Sequence, residues 1–292
     1  MSELAWVLAS VAFGLAVGSF LNVVIHRLPL MMAWAETELE DEKTSSPSPD
    51  PSGSAGVSVP PTTQRLSLAF PGSHCPKCSH PITALRNIPV ISYCLLAGAC
   101  SACGERIAAR YPIVELLGGL TGLVCMIVFG PSPQALSAMV FIWFAIAMSC
   151  IDWEHLLVPD VLSLSLLWVG LAFNAFNVHV APSDAILGAV GGYAAFWIVD
   201  AVAARILGRT AIGQGDFKLF AAIGAWFGWQ ALAPSLLVAS ATGVLVGYGL
   251  IWAGVSKKGQ PICFAPFLLF GATMVLFAGD RLQTWLSGPW GI

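Results

Sequence analysis

Charge is scarce in this sequence. Asp, Glu, Lys and Arg fill 10% of 292 positions, against roughly 25% in soluble domains. A chain of this length therefore lacks the polar exterior of a water-facing globular protein. The shortage is uneven. Apolar residues, 57% of the whole, run through 4–25 and then almost unbroken from 112 to 279, and the charge collects between them. Two further absences narrow the reading. No Ala-x-Ala site follows the first apolar run, and Glu3 before it with His26 and Arg27 after it reverses the polarity of a cleaved signal peptide. No Gly-rich dinucleotide fingerprint is present, and no nucleic-acid partner is expected.

What the sequence does have is membrane-length apolar segments. A spanning helix needs about 20 apolar residues, because hydrocarbon leaves no partner for an unpaired backbone group. Eight spans are predicted, near 4–25, 112–130, 135–151, 161–178, 184–204, 216–229, 232–254 and 262–279, the sixth being the shortest. Gly-xxx-Gly spacings at Gly14/Gly18, Gly118/Gly122, Gly188/Gly192, Gly224/Gly228 and Gly243/Gly247 fit close helix approach. With the N-terminus outside, alternation puts every Lys and Arg except Arg281, one of 13, on the cytoplasmic side, as the positive-inside rule asks. The fold class expected is an all-α polytopic membrane protein of about eight transmembrane helices, with a small cytoplasmic zinc-binding domain between helices 1 and 2.

Four units follow: a first helix at 1–27, a cytoplasmic linker at 28–70, a four-cysteine domain at 71–111 and a membrane domain at 112–292. Within the linker, 36–64 is acidic and then rich in Ser, Pro, Gly and Thr, a composition expected to stay disordered. Cys75-x-x-Cys78 and Cys100-x-x-Cys103 form two knuckles 21 residues apart. Four thiolates so spaced suit structural Zn²⁺, and a reducing cytosol argues against disulfides. A redox CxxC pair is the alternative. Cys94, Cys125, Cys150 and Cys263 are expected to be small buried hydrophobes.

Acids at membrane depth are expensive and are functional candidates by default. Glu115, Asp152, Asp200 and Asp216 are the set. Asp152 ends the third span, which runs inward, and Asp216 opens the sixth, which starts inside, so both lie at the cytoplasmic level. Facing carboxylates share a proton. One can then activate water while the other polarises a peptide carbonyl, which is aspartic-protease chemistry. Gly213 and Gly215 before Asp216 would let a substrate backbone approach. Asp160 competes with Asp152 but reads more simply as the N-cap of the fourth span. Asp200, near Arg205, reads as structural, and Glu154 and His155 as facing the cytoplasmic loop.

An ordered set of motifs resembles the type IV prepilin peptidases. It comprises Gly18 to Pro29 (GSFLNVVIHRLP), Cys75–Cys78, Asn87-Ile-Pro89, Cys100–Cys103, Tyr111-Pro-Ile-Val-Glu115, Ile151-Asp152, Val158-Pro-Asp160 and Gly213-Gln-Gly-Asp-Phe-Lys218. The resemblance covers nearly the whole chain outside 36–64. It implies a Gly-x-Gly-Asp aspartic protease of the bacterial inner membrane, with Asp152 and Asp216 catalytic and Gly213, Gly215 and Lys218 supporting them. It implies as substrates type IV prepilins and type II secretion pseudopilins, cut after a leader glycine at the cytoplasmic face. Members with the cysteine domain also methylate the new N-terminal amine using S-adenosylmethionine. Gly98 matches a position linked with that activity, although the basic residue expected before it is Ala97.

Two rival classes are a transporter using Asp152 and Asp216 as ion ligands, and a zinc-tethered assembly factor without catalysis. Both acids lying at one face, with no inverted repeat, counts against transport.

Overall fold

A chain surrounded by hydrocarbon must pair its backbone within each segment, and this one does so almost entirely as helix. The computed structural model describes residues 3–44, 67–70, 72–75, 77–81, 89–210, 212–255 and 263–287. Among them the helices are α1 (Glu3–Thr44), α2 (Ile91–Leu95), α3 (Arg110–Phe129), α4 (Pro133–His155), α5 (Asp160–Asn174), α6 (Pro182–Leu207), α7 (Gln214–Phe227), α8 (Leu232–Trp252) and α9 (Ala265–Ser287). The predicted turn signals stop and start them. Gly130, at φ 63°, ends α3; the Ser132 hydroxyl accepts the Ala135 N–H at the start of α4; Pro182 opens α6.

The eight predicted spans correspond to α1 and to α3 through α9. Five of these helices are long and apolar enough to cross a bilayer. The remaining three, α5, α7 and the apolar part of α9, are shorter. At 14 residues α7 is only about 21 Å long, against a hydrocarbon core of about 30 Å. It is tolerated because protein surrounds it: Phe217 and every residue from Leu219 to Phe227 is buried. The open carbonyls at its far end are met by Asn174, whose side-chain amide donates to Ala225 and Trp226, both at 2.8 Å. The Trp226 indole donates to the Leu166 carbonyl at 2.7 Å.

One boundary differs from expectation. α1 does not stop near residue 27 but runs from Glu3 to Thr44, 42 residues in all. Residues 28–44, expected as linker and the start of the disordered insert, are helical. Leu, Met, Ala, Glu and Lys favour helix over this stretch, α1 passes through the interior Pro29, and the Ser45-Ser46-Pro47 run comes only after it. The rest of the insert, and Asn87-Ile88 of the family motif, lie outside the described residues.

Small residues set the helix pairing. α1 and α3 cross where Gly14 meets the backbone of Gly118 and Gly122 that of Ser10; a Cβ on Gly18 would stand 2.7 Å from Glu115 Cα. α6 and α7 meet through Gly188 against Gly224, and a Cβ on Gly192 would stand 2.6 Å from the Phe220 carbonyl oxygen. Gly243 makes only ordinary contact, 3.5 Å from the Phe267 ring.

The loop joining α5 to α6 is tied down by the same Asn174, whose oxygen accepts the N–H groups of His179 (3.0 Å) and Val180 (3.2 Å). The His179 ring bonds Ser137 Oγ at 2.7 Å and packs on Phe227. Burial holds this imidazole well below its ordinary 6.5, at about 4. Between those values the unfolded chain binds a proton that the folded one does not. Stability is therefore complete above about pH 6.5 and falls as pH drops through the window. Detergent-solubilised protein should unfold at a lower temperature at about pH 5 than at about pH 7.5, with a smaller drop in His179→Gln. An equal drop in that variant would remove His179 as the cause.

Candidate active site and metal centre

Asp152 lies near the C-terminal end of α4, 5% exposed, before a left-handed residue, Leu156, whose N–H caps the Asp152 carbonyl at 2.8 Å. Asp216 lies in the first turn of α7, its N–H bonded to the Gly213 carbonyl at 3.0 Å. The α4–α5 loop just beyond Asp152 packs on the turn that carries Asp216, Val158 lying against Gly215. Antiparallel alternation of the helices puts the end of α4 and the start of α7 on one face of the bundle. Nothing in the local sequence of either residue could have specified the pairing.

Of the two glycines before Asp216, Gly215 has a different reason from the one expected. A Cβ on Gly215 would meet Val158 Cβ at 2.8 Å and the Val158 carbonyl oxygen at 3.2 Å. The chain's own α4–α5 loop occupies that space. A Cβ on Gly213 would meet only Asp216 Oδ2, at 3.5 Å, so that position alone is open to an approaching backbone.

Other acids take roles that their sequence neighbours do not announce. Asp160 makes no capping bond; Pro159 is the N-cap residue, and the Asp160 carboxylate instead pairs with Lys218 of α7 at 2.5 Å. This pair ties the start of α5 to the first turns of α7, beside Asp216. Asp200 accepts the Ile212 N–H at 3.0 Å, pinning the segment that delivers Gly213. Glu154 forms two bonds with Arg110, at 2.6 and 2.5 Å, linking the start of α3 to the end of α4. Glu115, buried in α3, accepts the Val90 N–H at 2.7 Å and so holds the cysteine-bearing segment against the helices.

One contact was invisible in the sequence. The Ala265 N–H, at the start of α9, donates to Asp152 Oδ2 at 3.1 Å. The available signal was positional: α9, as the eighth span, also begins on the face where α4 ends.

The four sulfurs of Cys75, Cys78, Cys100 and Cys103 lie within 4.8 Å of one another. Cys75 to Cys103 is 3.8 Å and Cys78 to Cys100 is 4.0 Å. A tetrahedral ion with bonds of about 2.3 Å needs edges of about 3.8 Å, so the cluster can hold a metal. The two knuckles repeat one design. In each, the first cysteine's carbonyl accepts the N–H four residues on, from Ser79 or Gly104, and both of those residues have positive φ. Backbone N–H groups of Cys78 and Lys77 pull the Cys75 thiol down from its ordinary range. Those of Ala102 and Cys103 pull Cys100 down to about 6. Thiolate is the ligand form, so the fold favours it at the first cysteine of each knuckle, while burial and the neighbouring sulfurs push Cys103 up to about 12. Lys77 and Glu105 pair across the knuckles.

Gly98 has a conformational reason. Its φ is +69°, and a Cβ there would sit 3.0 Å from the Tyr93 ring. Of the isolated cysteines, Cys125 and Cys263 are buried as expected and Cys150 is partly so, but Cys94 is exposed.

Comparison with known proteins gives two matches along the chain. Residues 12–129 match the bacterial peptidase A24 N-terminal domain, and residues 139–248 match the type IV leader peptidase family. A prepilin leader peptidase/N-methyltransferase of Aeromonas salmonicida is 42% identical over 284 residues, 97% of this chain and 94% of that one. One of Aeromonas hydrophila is 42% identical with the same coverage. One of Pseudomonas aeruginosa is 40% identical over 287 residues, 97% of this chain and 94% of that one. No solved structure matches.

Proposed function

We propose that this chain, which belongs to the type IV leader peptidase family, is a prepilin leader peptidase and N-methyltransferase whose catalytic pair is Asp152 and Asp216. The observation supporting the peptidase assignment is the packing of the α4–α5 loop, just beyond the buried Asp152, on the turn that opens α7 at Asp216, which puts both carboxylates at one end of the bundle. Held together, they keep one proton between them. The ionised carboxylate takes a proton from water as it attacks the scissile carbonyl, and the protonated one donates to the developing oxyanion. The proton then passes to the leaving amine as the carbon–nitrogen bond breaks. Gly213 leaves room for the substrate backbone. Lys218, held by Asp160, stiffens the turn that carries Asp216. The relatives give no support to the transport reading, nor to an assembly factor without catalysis.

The substrates are type IV prepilins and type II secretion pseudopilins, cut after the leader glycine. The protein lies in the inner membrane with its active site and cysteine domain on the cytoplasmic side, because that orientation puts 12 of 13 Lys and Arg inside. The substrate's apolar helix stays in the bilayer while its basic leader remains in the cytoplasm. Zinc is the metal of the four-cysteine cluster, whose all-thiolate tetrahedral geometry suits it. The methyl donor is S-adenosylmethionine, which supplies an electrophilic methyl group. The acceptor must be the neutral amine exposed by cleavage. Gly98 and the turn around it belong to the domain implicated in that step.

Sidedness gives the test. Inverted membrane vesicles, with the cytoplasmic face outward, should cleave an added leader-bearing prepilin after its leader glycine, and right-side-out vesicles should not. Cleavage by right-side-out vesicles alone would reverse the orientation; cleavage by neither would overturn the peptidase assignment.

A further inference from the structure

The first turn of a helix leaves its amides without intrahelical partners, and in α9 each can be accounted for. Pro266 has no N–H. The Phe267 and Leu268 N–H groups both donate to the Phe264 carbonyl, at 3.1 Å each. That leaves Ala265, and its N–H goes to Asp152 Oδ2, 113 residues away in sequence. Both ends of this bond are enclosed: Ala265 is 0% and Asp152 5% exposed, with Leu268 also at 0%. Within the first turn of α9, the Ala265 N–H is therefore the amide given to another element, and it points at one carboxylate oxygen. Among the described residues, the Asp216 carboxylate has no such donor.

We infer that Ala265 is a positioning residue for the cleavage reaction: its backbone amide fixes Oδ2 of Asp152, so that Oδ1 is presented to Asp216 and to the attacking water. This rests on the assignment of Asp152 as catalytic. Proline at position 266 serves the arrangement, because an amide there would offer the carboxylate a second donor and a second orientation. The positive end of the α9 dipole adds to the hold on the carboxylate. A carboxylate displaced by about 1 Å can lose roughly a hundredfold in rate, which sets the scale of the effect. The asymmetry also divides the labour: Asp152, anchored through one oxygen, accepts the proton from water, and Asp216 supplies the proton to the carbonyl oxygen.

The variant that removes the donor is Ala265→Pro; Ala265→Gly keeps it. Ala265→Pro should lower kcat for prepilin cleavage roughly ten- to a hundredfold, with KM within about twofold and thermal unfolding unchanged. Ala265→Gly should stay close to the parent in kcat. A purely structural role would instead move the unfolding temperature and affect both variants. Should Ala265→Pro fail to fold, amide exchange decides: in Asp152→Ala, the Ala265 amide should exchange faster while Phe267 and Leu268 do not. Full kcat in Ala265→Pro, or unchanged exchange at Ala265, would overturn the inference. Asp152→Asn serves as the control. If it still cleaves, the catalytic pair itself is wrong; if it is inert while Ala265→Pro is fully active, only the positioning role fails.

Discussion

Asp152→Asn and Asp216→Asn should each lower leader cleavage at least about a thousandfold, close to 4 kcal/mol in the barrier, with no loss of folded protein. Asparagine keeps the shape of the side chain but can neither take a proton from water nor give one to a carbonyl oxygen. At position 152 it still accepts the Ala265 N–H through its own oxygen, so the junction of α4 with α9 survives. At position 216 the α7 start is held by the Gly213 carbonyl and by the Lys218–Asp160 pair, neither of which uses the Asp216 side chain. The two carboxylates act as a unit, so the double variant should be scarcely worse than either single one. Normal cleavage in one variant would remove that residue from the pair. Additive losses would mean that the two act in separate steps.

The second large effect lies in the cysteine domain. Cys75→Ser with Cys78→Ser should release the bound metal and melt the surrounding unit, because that unit has little else to hold it. Among its described residues from 72 to 107, Cys75 is the one apolar side chain in the buried core. Isolated β-bridges, His74 with Pro81 and Ala99 with Arg106, are its only strand pairing there. Binding of structural zinc to thiolates contributes about 10–16 kcal/mol in small domains of this kind, far more than a hydrogen-bonded turn supplies. Zinc content of the purified protein should fall from about one ion per chain to none. N-methylation should disappear, while cleavage should drop by less than about tenfold, since Arg110–Glu154 and the α1–α3 crossing hold the bundle without the domain. Metal retained in the double variant would exclude the four-sulfur site. A parent protein without metal but with a reversible disulfide would favour the redox reading.

Much of this was legible in the chain because a bilayer makes strict demands. The apolar runs, and the glycines at Gly14, Gly18, Gly188 and Gly192, follow from the need to pair every backbone group and to pack helices closely. Asp152 and Asp216 could be matched because parity of the spans fixes which helix ends share a face. What escaped the sequence was of three kinds. The length of α1 escaped because the acidic composition of 36–44 signals only too little apolar surface to bury, whereas a helix of good formers needs no burial to continue. The partners of Asp160, Asp200 and Glu154 escaped because each lies on another element, at Lys218, Ile212 and Arg110. Ala265 escaped because a backbone amide leaves no mark on composition. The reason for Gly215 was likewise tertiary, since Val158 fills the space its side chain would need.

The most direct measurement of the central claim is intact-mass analysis of a purified prepilin after incubation with the purified protein and S-adenosylmethionine. The expected result is loss of the leader after its glycine and gain of one methyl mass on the mature product. The cleavage should vanish with Asp152→Asn or Asp216→Asn. A prepilin of unchanged mass, from folded protein that retains its metal, would contradict it.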